Sequence, residues 1–153
     1  MSRWRTRLAL TGLFLAACGP PPAAQKAQPK DETKEPWYAQ SVDELAAANR
    51  RASDLLKRGK EDEASTLVQS GEKVAAHLLA VPRPTLRAME AASDVDELYG
   101  RMLLANRNYG WARLFFQKNL SRWKRWTPET ADIVSRRNAA AAEIAECDRR
   151  MGE

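Results

Sequence analysis

The 153-residue chain carries 25 lysines and arginines against 20 acidic residues, a formal net charge of +5. Part of that charge is local: without Arg3, Arg5 and Arg7, 22 basic residues face the same 20 acidic ones, and the remaining +2 gives no general reason to expect nucleic acid as a partner. With one histidine, and one free cysteine once Cys18 is accounted for below, the chain does not read as a His/Cys zinc protein.

In chain order, the three arginines precede an apolar run from Leu8 to Ala17. About ten apolar residues are too few to cross a hydrocarbon core of about 30 Å, and Pro20 closes the run. The pattern is that of an export signal rather than of structure. The run ends in Leu15-Ala16-Ala17-Cys18. This tetrapeptide resembles the lipobox of bacterial lipoproteins: an aliphatic residue, two small residues, then the cysteine that becomes the lipidated N-terminus. The resemblance implies that residues 1–17 are cleaved and that Cys18 is lipidated. The bilayer would then be held through Cys18, with the rest of the chain facing the periplasm. Lipoproteins carry a diacylglyceryl group and an amide-linked chain, and two or more chains anchor stably where one does not. Gly19 stands where an aspartate favours retention in the inner membrane, so the resemblance implies the outer membrane. On this reading Cys147 has no partner and is expected as a buried thiol on the last helix.

Residues 18–36 read as the lipidated cysteine and a tether. Pro20, Pro21, Pro22, Pro29 and Pro36 alternate with Lys, Glu, Ala and Gln, and no large apolar residue occurs between 19 and 36. Such a stretch cannot bury enough surface to offset its ordering entropy. As polyproline II it reaches roughly 55 Å.

Residues 37–153 read as one all-α domain of about five helices. The first is expected from Ser41, whose spacing to Glu44 is that of a capping box. Its apolar face is Val42, Leu45, Ala48 or Asn49, Ala52, Leu55 and Leu56, and Gly59 ends it; Trp37 and Tyr38 are expected to fold back on it. The second helix, about 60–79, places Ala64, Leu67, Val68, Gly71, Val74, Ala75 and Leu78 on one stripe. Glycine costs about 1 kcal/mol there relative to alanine, so a close helix crossing is the reason to keep Gly71. The third begins near Pro84 and runs to Arg107, on Leu86, Met89, Ala92, Val95, Leu98, Tyr99 and Met102; Ser93-Asp94 offers a possible interruption. The fourth, about 108–126, gathers Trp111, Ala112, Phe115, Phe116, Asn119, Trp123 and Trp126 on one face and is expected to be the centre of the core. The fifth is expected to start at Thr127-Pro128-Glu129, with a seam of Ile133, Arg137, Ala140, Ile144, Cys147 and Met151.

Gly100, Ala112 and Phe116 in the second helical pair, with Gly59, Ala64 and Val68 in the first, resemble tetratricopeptide-type repeats. Those place a small residue where paired helices touch, an alanine early in the second helix and an aromatic one turn later. The two units are offset by 48 residues, against a family period near 34, and the closing proline is missing from both. The resemblance implies antiparallel hairpins with a covering C-terminal helix. It also implies a binding groove on the first helix of each pair, at Asn49, Ser53, Glu97, Arg101 and Leu104.

No catalytic set stands out. His77 sits at the edge of the second helix's stripe and reads as a partly exposed structural residue, with no nucleophile elbow in the chain. Asp94, Asp96 and Glu97 lack the glycine and spacing of a calcium loop and read as a solvated helix start. The aromatics of residues 111–126 interleave with Arg113, Lys118, Arg122, Lys124 and Arg125. Their segregation favours a buried face with a basic rim over a nucleic-acid or headgroup surface. Asn119 on the aromatic face is expected to satisfy hydrogen bonds in the core. The chain is therefore read as a non-enzymatic envelope lipoprotein without cofactor, anchored through Cys18, that presents helical hairpins to a periplasmic protein. The rival readings are a ligand- or lipid-binding carrier and, further off, a cell-wall hydrolase.

Overall fold

The computed structural model describes residues 30–153. Cys18, the expected export signal and residues 19–29 of the expected tether lie outside the described residues. The fold is all-α, with five helices: α1 Pro36–Lys57, α2 Glu61–Ala80, α3 Leu86–Ala105, α4 Tyr109–Lys124 and α5 Ala131–Gly152. Short turns join helices that pack on one another, giving the hairpins α1–α2 and α3–α4, with α5 laid against α4. No strand occurs among the described residues, and no described helix is long and apolar enough to cross a membrane.

Several boundaries differ from those expected. A 3-10 turn at Glu32–Lys34, capped by Asp31, lies within the stretch read as tether. The first helix begins at Pro36, not Ser41. Proline at the first helical position lacks only an N–H that would have no helical partner, so it starts the helix without cost. Ser41 and Glu44 are therefore interior and form no capping box. Tyr38 is buried in the first turn, and its hydroxyl accepts the Thr85 N–H at 3.2 Å, tying α1 to the start of α3. The third helix is continuous. Its cap is Thr85, whose hydroxyl accepts the Ala88 N–H at 3.3 Å, and Ser93-Asp94 does not interrupt it. The fifth helix is capped by Thr130, not Thr127; the Thr130 hydroxyl accepts the Ile133 N–H at 3.3 Å. Of two threonines three apart, the one directly ahead of the apolar seam closes the first turn.

The main core lies among α1, α2 and α3, and includes Val42, Leu45, Val68, Leu78, Ala92 and Val95. Gly71 is kept for the reason expected: a Cβ there would sit 3.0 Å from Val95 Cγ2 and 3.1 Å from Leu45 Cδ1. At Gly100 a Cβ would lie 2.7 Å from the Phe116 ring. Cys147 is buried as a free thiol against Ala112 and Phe116. Burial, followed by the carboxylates of Glu143, Asp148 and Glu146, raises its pKa, which fits a packing role.

The fourth helix is not the centre of the core. Trp111 is 65% exposed and Leu114 is 52% exposed, because no described element covers the outer side of the first turns of α4. Trp123 is fully buried, whereas Trp126 is half-buried. The stripe expected for α3 holds at Ala92 and Val95, which are buried, and at Leu98, Tyr99 and Met102, which pack against the core, but burial extends beyond it. Leu86 is exposed, while Ala88, Ala91, Ser93 and Asp96 are buried. This helix packs against α1, α2 and α4 at once, so it buries small residues around most of its circumference.

Candidate functional site

The expected groove positions divide into three outcomes. Ser53, Glu97 and Arg101 come together between α1 and α3. They line two adjoining depressions of about 350 and 260 Å³ that share Ser53, Leu98 and Arg101. Leu56, Leu98 and Met102 form the apolar floor at one end. Charges rim it, including Arg50, Lys57, Glu61 and Asp94. Arg101 bridges Glu97 at 2.9 Å and Glu143 of α5 at 3.3 Å, so the last helix holds the groove's central cation. Asn49 reaches the same groove but is buried, and its amide donates to the Ala91 carbonyl at 2.8 Å. It fastens α1 to α3 and has little left to offer a ligand. Leu104 does not line this groove. It packs near Ala112, Phe116 and Cys147, and borders a separate depression with Tyr109 and Arg150. At the end of α3 that side of the helix is turned towards α4 and α5.

A second constellation, unread in the sequence, lies between α2, α3 and α4. Asp96 is 1% exposed and Arg122 7% exposed. Arg122 Nη2 donates to Asp96 Oδ2 at 2.7 Å, and Lys118 Nζ donates to Asp96 Oδ1 at 2.6 Å. Arg122 Nη1 donates to the Asn119 side-chain oxygen, and the Asn119 amide donates to the Ser93 carbonyl at 2.9 Å. Trp123 Nε1 donates to Ser93 Oγ at 2.9 Å. Asp96 is therefore a buried ion-pair partner in mid-helix, not part of a solvated helix start. Arg122 belongs to the interior rather than to the basic rim. Asn119 satisfies core hydrogen bonds as expected.

Glu72 of α2 stands beside this network, 3.9 Å from Lys118 Nζ. Its Oε1 is buried and has no hydrogen-bond partner among the described residues. Burial, then the neighbouring Asp96 carboxylate, pushes its pKa up to about 7, against the pull of Lys118 and Arg122. Sequence signals existed at Asn119 and Arg122, polar residues three apart around an aromatic face. The partner of Arg122 is far along the chain, and one sequence does not name it.

His77 is exposed, with its ring 4.9 Å from that of Trp37. Among the described residues no group of three or more His, Cys, Asp or Glu is placed to hold a metal ion. No known protein family, curated protein or solved structure matches this chain.

Proposed function

We propose that the chain is a non-enzymatic lipoprotein of the bacterial envelope that presents its α1/α3 groove to a periplasmic protein. Attachment is through Cys18, on the strength of Leu15-Ala16-Ala17-Cys18 and the basic and apolar segments before it. The absence of an aspartate after Cys18 favours the outer membrane. The observation that carries the binding reading is the convergence of Ser53, Glu97 and Arg101 on one groove with an apolar floor of Leu56, Leu98 and Met102. An apolar floor between charged rims suits a peptide segment of mixed polarity. The resemblance to tetratricopeptide hairpins points to the same surface, since those repeats bind along the first helices of their pairs.

Two experiments test the two halves. A photo-crosslinking residue at Ser53 should capture one reproducible partner in intact cells, and the same residue at Trp111 should not. Ser53→Trp, which fills the groove, should abolish capture of that partner by a probe at Glu97. Identical capture from Ser53 and Trp111 would refute the groove. Metabolic palmitate labelling should be lost in Cys18→Ala; continued labelling would refute Cys18 as the anchor.

A further inference from the structure

On the opposite side of α3 from the groove lies a second cleft, of about 340 Å³. Its walls come from the end of α2, the start of α3 and the last turns of α4. Lys118, Arg122 and Arg125 supply three cations, and Leu79, Met89 and Trp126 supply apolar and aromatic surface. Among the described residues no acidic side chain lines it, in contrast to the α1/α3 groove with Glu61, Asp94 and Glu97. The imbalance begins in the sequence: from Tyr109 to Arg125 there is no acidic residue. We infer that this cleft binds a small amphipathic anion, a single carboxylate head on an apolar body.

The charge inventory supports an anion. Asp96 lies beneath the cleft and neutralises one of the three cations through its bonds to Lys118 and Arg122. Glu72 beside it, its pKa pushed up to about 7 by burial, offsets at most one more. Positive charge therefore remains uncompensated. Donors remain too. Lys118 uses one of its N–H groups on Asp96, and Arg125 uses only Nε, on the Ser121 carbonyl at 3.0 Å. The guanidinium fork of Arg125 is free among the described residues to take a planar carboxylate in two parallel bonds. Arg122 is a fixed wall, held by Asp96 and Asn119, so it needs no ordering when a ligand arrives. The body of the ligand follows from the other three side chains. Leu79 and Met89 offer flexible apolar contact, and Trp126, half-buried, offers a flat face. A wholly polar anion would leave that surface unused.

The test uses the full chain and three probes: octanoate, with head and body; octanol, with body alone; and acetate, with head alone. Binding is followed by tryptophan fluorescence and confirmed by calorimetry. Octanoate should bind at least tenfold more tightly than either partial probe. Arg125→Glu should weaken octanoate at least tenfold with the helical circular dichroism unchanged, since Arg125 is exposed and outside the buried network. Met89→Trp, which fills the cleft without altering charge, should do the same. Arg101→Glu, in the other groove, should leave octanoate binding unaltered. Octanoate binding no tighter than octanol, or fully retained in Arg125→Glu and in Met89→Trp, would overturn the assignment.

Discussion

The α1–α2 and α3–α4 hairpins share a backbone plan and differ in what fills it. In the first turn the Lys60 N–H reaches the Leu55 carbonyl at 2.9 Å and the Gly59 N–H reaches Leu56 at 3.0 Å. In the second, Asn108 reaches Leu103 at 2.8 Å and Arg107 reaches Leu104 at 3.1 Å. Both are the paired closure of a Schellman motif, and a shift of 48 residues carries each bond onto its counterpart. The same shift carries Ala52 onto Gly100, Ala64 onto Ala112 and Val68 onto Phe116. The small residue of the first unit is thus Ala52 in mid-helix, and Gly59 belongs to the turn. The fillings then diverge. Leu45, Ala48, Gly71, Val74 and Ala75 of the first hairpin correspond to Ser93, Asp96, Asn119, Arg122 and Trp123 of the second. One hairpin closes by apolar contact across a glycine. The other closes by a buried ion pair, an asparagine and an indole N–H. The same helix geometry accepts either, provided every buried polar group is satisfied.

The largest expected effect breaks the second filling. Asp96→Leu leaves the buried Arg122 guanidinium without its counter-charge and should cost about 3–5 kcal/mol, measured by urea unfolding. If the hairpins are alternative fillings of one frame, an apolar pair should be tolerated. Asp96→Leu combined with Arg122→Met should recover most of that loss, as the Ala48 and Val74 positions of the first hairpin suggest. A double variant as unstable as the single one would mean that the polar set is specified by more than packing.

Glu72 sharpens the comparison further, because the charged filling makes stability depend on pH. Its folded pKa of about 7 lies above the ordinary carboxyl value of 4.5, so the folded protein holds this proton more tightly than the unfolded chain does. The stabilisation is complete below pH 4.5 and is lost as pH rises through about 7. The shift corresponds to about 3 kcal/mol at full strength. Because the Glu72 side chain keeps part of its solvent contact, about 2 kcal/mol is expected. Glu72→Gln should equal the parent near pH 4.5, exceed it by that amount near pH 8.5, and flatten the slope between. An unchanged slope in the variant would show that other groups set the dependence.

Much of the first hairpin was legible because its helices have one buried side. The Ala64, Val68, Gly71, Ala75, Leu78 stripe of α2 is buried as the spacing predicts. Ser53, Glu97 and Arg101, taken from the tetratricopeptide resemblance, line neighbouring depressions, whereas Leu104, taken from the same resemblance, lies elsewhere. The third helix was read in part: Ala92 and Val95 of its expected stripe are buried, but three other helices enclose it, so Ala88, Ala91, Ser93 and Asp96 outside that stripe are buried too, and enclosure blurs the single-face period on which the reading depends. The Asp96–Arg122 pair was invisible for a different reason. A charged residue in a sequence looks solvated unless its partner is known, and this partner is supplied by the packing of α4 on α3. Trp111 failed in the opposite sense: its spacing matches the buried face, yet no described helix extends over it.

The smallest expected effect tests the frame itself, at the two turns. Gly59 and Arg107 are register-equivalent and adopt nearly the same backbone, with φ of 73° and 61°. Glycine reaches this left-handed region without strain, whereas for a residue with a Cβ it costs about 1–2 kcal/mol. A Cβ at Gly59 meets nothing within 4 Å, so Gly59→Ala adds only this strain, less the freedom that alanine removes from the unfolded chain, and should destabilise by about 0.5–1 kcal/mol. Arg107→Gly relieves the same strain, but glycine also gains freedom in the unfolded chain, so a stabilisation of about 0.5–1 kcal/mol is expected. Both can be read by urea unfolding at one pH. Opposite signs and similar sizes would establish the turns as one conformation occupied by two residue types. Destabilisation by Arg107→Gly would instead mean that the Arg107 side chain contributes more than its backbone strain removes, and the two hairpins would then differ in their turns as well as in their fillings.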